Sequence, residues 1–511
     1  MRRRQPTRQR IIDAAVLAVA ATVALVASTA FDGDPRPVAP DRVTPVNAGS
    51  RDVGDISANN SPTLTQNPRR PDSLAIVNRV DTPGYTCGLH VSQDRGEQWF
   101  NTPIPIPRGE EDKCFAPDAT FAADGTLYVS FVTLRGTTNE PNALWLTRST
   151  DGGRTLTTPR RVAGRQAFQA RLTTDPQRPR RVYMTWLQPE EIGLYLFAGS
   201  DNRIVVARSD DGGRSFSRPV RASDRLRQRV LAPSAAVGPD GELYVLYLDV
   251  GGDRLDYEGG HDSTGGPPYG GTFSLVLGRS TDGGATWQES LVDDRIIPTR
   301  RFIAFLPPFP SLAVDPRSGR IYVAFEDARD GSPDVQLWSL DRGERDWRGP
   351  VRVNDTPGDD TSTQYLPKLA VAPDGRVDVA YYDRRADARD HRNHVSVQSS
   401  TDAGRTFAAH ATMTDRSFDS RIGAGSERGL PDIGSRIGLV SDATAALAAW
   451  TDTRAGTIAS NKQDIAFAEA AVQRSGGLSN SARAGLRYGA IALLLAALGV
   501  LLASAYRRAT P

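Results

Sequence analysis

Ser149-Thr150-Asp151-Gly152-Gly153-Arg154-Thr155-Leu156 decides how the rest of the chain is read, because it keeps returning. Ser209-Asp210-Asp211-Gly212-Gly213-Arg214-Ser215-Phe216, Ser280-Thr281-Asp282-Gly283-Gly284-Ala285-Thr286-Trp287 and Ser400-Thr401-Asp402-Ala403-Gly404-Arg405-Thr406-Phe407 repeat it closely. Ser92-Gln93-Asp94-Arg95-Gly96-Glu97-Gln98-Trp99 is a further copy, and Ser339-Leu340-Asp341-Arg342-Gly343 opens a degraded one whose tryptophan, Trp347, comes late. The starts at 92, 149, 209, 280, 339 and 400 are spaced by 57, 60, 71, 59 and 61 residues, the signature of a repeat architecture. Asp-Gly-Gly between alternating apolar segments signals a hairpin: glycine takes positive φ freely and aspartate bonds the turn amides. Asp94, Asp151, Asp211, Asp282, Asp341 and Asp402 are therefore expected to be structural turn anchors, not acids of a reaction.

A second repeat precedes each box. It reads SPTLTQNP (61–68), APDATFAADG (116–125), ARLTTDPQ (170–177), APSAAVGPDG (232–241), FPSLAVDPRSG (309–319), LPKLAVAPDG (366–375) and LPDIGSRIGLVSD (430–442). Each copy is followed by an alternating strand such as LYVSF, VYMTW or IYVAF, so each marks an inner strand and its neighbour. The last unit stops after ALAAW (446–450) and DIAFAEAAV (464–472), short of a fourth strand. Arg42 to Asn47 echoes Pro350 to Asn354, so the N-terminal segment is expected to supply that strand and remove the free edge. The expected fold is all-β: a β-propeller of four-stranded blades, seven by this count with six as the alternative, closed by an N-terminal strand.

The Ser-x-Asp-x-Gly-x-Thr-Trp pattern resembles the Asp-box (BNR) repeat, and over nearly all of residues 43–472 the chain is similar to sialidase-like β-propellers. That resemblance implies a functional face opposite the boxes. It also implies three arginines on a substrate carboxylate, a tyrosine activated by glutamate, and an aspartate as acid/base. Three units carry aromatic-x-Asp-x-Arg at the end of the second strand, so Arg329, Arg385 and Arg454 stand in for the arginines and Asp327, Asp383 and Asp452 for the acid. Tyr365 is the nucleophile candidate. The competing readings are a salt bridge inside each loop, and an aromatic packed at the blade entrance. The early Arg-Ile-Pro of sialidases is missing, Arg295-Ile296-Ile297-Pro298 being mid-chain and one residue too long, and no glutamate partner can be assigned. Arg135 and Glu190 occupy the equivalent position in two earlier units, and Tyr257 and His261 lie on a glycine-rich insertion from Gly251 to Gly271 on the same face.

The ends place the body. Five arginines precede an uncharged run from Ala14 to Phe31, so residues 1–31 read as a signal peptide or an N-terminal anchor, and 32–42 as a linker. Tyr488 to Tyr506 is an uncharged run of bilayer length followed by Arg507 and Arg508, so it reads as a transmembrane helix after a 473–487 linker, with 507–511 cytoplasmic. The propeller, 43–472, is then extracytoplasmic, where Cys87 and Cys114, on the same face of adjacent blades, are expected to form a disulfide.

Composition agrees with a turn-rich exported protein: 511 residues, 47 glycines, 35 prolines and 39% hydrophobic residues. A balance of 62 basic against 60 acidic residues argues against a nucleic-acid binder. Only Lys113, Lys368 and Lys462 are lysines, a bias of bacterial, GC-rich coding. No metal or cofactor motif is present. The expected function is recognition of a cell-envelope glycan or protein partner through the charged channel face, with a retaining exo-sialidase-type hydrolase as the alternative.

Overall fold

A computed structural model describes residues 35–47, 55–190, 201–253, 269–299, 309–423, 432–474 and 488–498, together with Val19, Ala21, Thr22 and Leu502. It divides into two units, Pro37–Val472 and the terminal segments Met1–Arg36 with Gln473–Pro511. In the terminal unit residues 488–498 are helical, and among the described residues no helix is long and apolar enough to cross a membrane. Most of 1–31, the 475–487 part of the second linker, and 499–511 apart from Leu502 lie outside the described residues, as do Tyr257 and His261.

The larger unit is a seven-bladed propeller of antiparallel sheets. Blades 1 to 7 span 59–101, 114–163, 168–221, 230–296, 311–352, 364–412 and 438–474. Alternation along the second strands explains the stacking. Leu127–Arg135, Val182–Gln188, Leu243–Asp249 and Ile321–Asp327 are buried on both faces, one face against each neighbouring blade. The seventh blade has only three strands of its own, and Pro35–Pro37 and Val43–Pro45 supply its outer edge against Asp464–Arg474. Pro35–Pro37 falls in the stretch expected to be linker. Proline is acceptable there because an outermost strand needs no donor on its free side.

The boxes do two jobs. In the box at 209–216 the Ser209 Oγ donates to Asp211 Oδ1 at 2.8 Å, the Gly213 amide donates to Ser209 Oγ at 2.8 Å, and Asp211 also accepts the Ser215 amide at 3.0 Å and its hydroxyl at 2.6 Å. The same pattern holds at Asp151, Asp282 and Asp402. Asp341 of the degraded copy bonds Arg320 and Arg348 instead. The fifth box residue then wedges against the preceding blade. A Cβ on Gly153, Gly213 or Gly404 would lie 2.4 Å from Val91, Leu146 or Leu337, and all three residues have positive φ. Glycine is required there twice over, for conformation and for approach.

Cys87 and Cys114 are joined as a disulfide with Cα atoms 5.5 Å apart, stapling the third strand of blade 1 to the inner strand of blade 2.

Candidate functional site

The inner strands share a local irregularity that aims one residue of each at the axis. In blades 1, 2, 3, 4 and 6 the pairing of inner and second strand slips between Asn60 and Thr63, Phe115 and Asp118, Phe168 and Arg171, Leu231 and Ser234, and Tyr365 and Lys368. Within each slip one residue has positive φ: Ser61, Ala116, Gln169, Ala232 and Leu366. This is a β-bulge, which bends the strand and re-aims the next side chain. In four of the five blades a proline follows the strained residue, where its missing donor costs no ladder bond.

The bulges deliver Thr63, Asp118, Arg171, Ser234 and Lys368 to a channel cavity of about 240 Å³, which Ser311 of blade 5 and Arg436 at the start of blade 7 also line. Three cations thus face one carboxylate. Asp118 is held by the Thr63 hydroxyl at 3.0 Å and the Leu172 amide at 2.9 Å, and Arg171 approaches it only to 3.9 Å. The Arg171 guanidinium lies over the Phe309 ring at 3.9 Å and donates to the Pro233 carbonyl at 3.3 Å. Arg436 donates to the carbonyls of Ser61 at 3.2 Å and Pro117 at 2.8 Å. The Lys368 ammonium has no hydrogen-bond or ion-pair partner among the described residues.

Burial and the two arginines hold the Lys368 ammonium down to about 8, with Asp118 opposing them. Burial likewise lowers Arg171 and Arg436. An excess of positive charge in a polar-lined cavity partly withdrawn from water favours the binding of an anion.

The residues singled out on the opposite face from the boxes are arranged otherwise. Arg329 donates from its backbone amide (2.9 Å) and Nε (2.5 Å) to Asp327, and from its Nη2 to Asp293 at 2.9 Å. Arg385 does the same with Asp383 and Asp355, and Arg454 with Asp452 and Asp415. Asp293 belongs to the outer strand of the preceding blade, and Asp355 and Asp415 closely follow the outer strands of theirs. Each aromatic-x-Asp-x-Arg is therefore a clasp between consecutive blades, its guanidinium spent on two carboxylates. The three arginines share no partner among the described residues.

Tyr365 is fully buried. Its hydroxyl donates to Asn393 at 3.1 Å and receives Arg384 at 3.3 Å, while its ring stacks on Tyr382 at 5.4 Å. Burial raises its pKa, the opposite of what a nucleophile requires. Glu326 is buried beside it, accepting the Leu366 amide at 2.7 Å, and burial pushes it up to about 7. Arg135 is exposed at the end of its strand, and Glu190 is an exposed partner of Arg203 at 3.4 Å. Among the described residues no group of acidic, histidine or cysteine side chains is placed to hold a metal.

Reasoning from sequence missed Arg171, Lys368 and Arg436. The signal was present: the residue after proline in the inner-strand repeat reads Thr63, Asp118, Ser234, Ser311 and Lys368, a column that varies while its surroundings repeat.

No protein family's sequence profile matches this chain, and no curated protein matches it in sequence. Solved structures show some similarity to it. A Dyadobacter fermentans protein of unknown function is 14% identical, with a TM-score of 0.47 over 85% of this chain and 99% of the other. A Penicillium chrysogenum alpha-L-arabinanase complexed with arabinobiose is 14% identical, with a TM-score of 0.41 over 71% of this chain and 93% of its own. A Trypanosoma rangeli sialidase in complex with 2,3-difluorosialic acid is 11% identical, with a TM-score of 0.38 over 86% of this chain and 60% of its own.

Proposed function

We propose that this is a binding propeller, tethered to the membrane and facing out of the cytoplasm, that takes a carboxylate-bearing group of an envelope glycan into its channel. The observation that carries the proposal is the unpartnered Lys368 ammonium beside Arg171 and Arg436, with Asp118 the single opposing carboxylate. Desolvated cations without partners are costly, and an incoming carboxylate offsets that cost with charge-assisted hydrogen bonds. Phe309 beneath Arg171 offers an apolar face of the kind a sugar ring stacks on. The tether rests on the hydrophobic run at 488–506, and the extracytoplasmic side on the two arginines that follow it. Hydrolysis of sialidase type draws less support, since it asks for converging arginines and an accessible tyrosine.

Calorimetric titration of the full chain with uronic-acid oligosaccharides and with neutral oligosaccharides of equal length tests the reading. Binding of the acidic series alone, weakened roughly 10–100-fold by Lys368→Met, is the expected result, the loss of one charged hydrogen bond. Equal binding of both series, or no effect of the substitution, overturns it.

A further inference from the structure

The arginines of this chain are unevenly spread. Between Arg148 and Arg229 stand 17 arginines against 8 acidic residues, in a chain whose formal charge is only +2. Several ring a single box turn in blade 3. Arg148 donates to the Gly212 carbonyl at 3.0 Å, Arg180 reaches the Asp211 carbonyl at 3.4 Å, and Arg148, Arg160 and Arg214 line one open cleft with Gly212. Arg154 and Arg218 are exposed on the same side. None of these six has a carboxylate partner among the described residues. The nearby acids are already engaged: Asp210 by Arg181 and Arg208, and Asp211 by its own turn.

These arginines lie on the box side of blades 2 and 3, and the chain enters and leaves the propeller on that side. The last strand runs from Asp464 toward the box side, and the Val472 amide donates to the Thr444 carbonyl in the turn between the first and second strands of blade 7. Val38 pairs with Ala471 at the same end. The arginine cluster and the exit of the chain at Val472 thus share one side of the propeller.

We infer that the arginine cluster around Gly212 is a docking surface for the anionic headgroups of the membrane to which the chain is tethered. Guanidiniums without carboxylate partners suit phosphate bidentately and gain from the negative potential near a lipid surface. The inference rests on the reading of 488–506 as an anchor.

Full-length protein is placed in nanodiscs of phosphatidylcholine, with or without phosphatidylglycerol, and the reactivity of its arginines toward phenylglyoxal is read by mass spectrometry. Arg154, Arg160, Arg214 and Arg218 should be protected roughly tenfold by the anionic lipid. High salt should restore them, and exposed Arg135 on the opposite face should be unchanged. Equal reactivity in both lipids overturns the docking surface, as does protection of Arg135 instead. If the chain does not enter discs at all, the anchor reading fails by itself. Sedimentation of the free protein with phosphatidylglycerol vesicles then decides the surface: binding supports it, and its absence, or binding to heparin alone, overturns it.

Discussion

Lys368 occupies the position on which the binding proposal turns, and its chemistry fixes a pH window. Its ammonium is held near 8, against about 10.5 in an unfolded chain. Below pH 8 the folded protein carries the charge at a cost, and that cost disappears as pH rises from 8 toward 10.5. Lys368→Met is therefore expected to raise the melting temperature at pH 7 by roughly 2–4 °C, the shift that about 1 kcal/mol produces in a large domain. The gain should vanish near pH 10.5. Affinity for an acidic saccharide should fall as pH passes through 8 and the ammonium loses its proton, which titration on either side of that value measures. Lys368 was visible in the sequence as a rare lysine inside a strand repeat, but its direction was not, because a bulge of one residue reverses which face a side chain takes.

At the scale of the element, the boxes and clasps divide the work of holding blades together. Asp94, Asp151, Asp211, Asp282 and Asp402 keep low pKa values: partial burial pushes Asp151 up, but bonds from Ser149 and Thr155 outweigh it and bring it to about 2. Their contribution is fully present above the ordinary carboxylate range and is lost as pH falls through the folded value, so acid unfolding should begin below about pH 4. Asp211→Ala removes four turn bonds and is expected to cost roughly 1–3 kcal/mol, read as a shift in denaturant midpoint. The repeated box made this element fully legible. The clasps were half legible. Asp327, Asp383 and Asp452 stood two residues before their arginines, whereas Asp293, Asp355 and Asp415 reach the same guanidiniums across a blade boundary that no local pattern records.

For the whole molecule, closure depends on a short segment far away in sequence. Asn47 accepts the Ile465 amide at 2.5 Å and donates to Asp464 at 3.0 Å, while Val46 is buried against blade 7. Starting the chain at residue 55 should leave the 464–474 strand as a bare edge and cost roughly 3–5 kcal/mol, with aggregation that thermal melts and light scattering record together. Blade number and closure could be read from seven inner-strand repeats and one echo. The Pro35–Pro37 strand could not, since proline-rich sequence carries the same composition in a linker as on an edge.

The exit at Val472 also fixes how this molecule bears load. Tension applied to the chain beyond Val472 runs along the Asp464–Arg474 strand, which is paired over eight positions from Ala445 to Asp452. A pull along that axis loads the pairs side by side, in shear, so they yield together rather than opening one after another. The last blade is thus built to resist a pull on the chain that follows it.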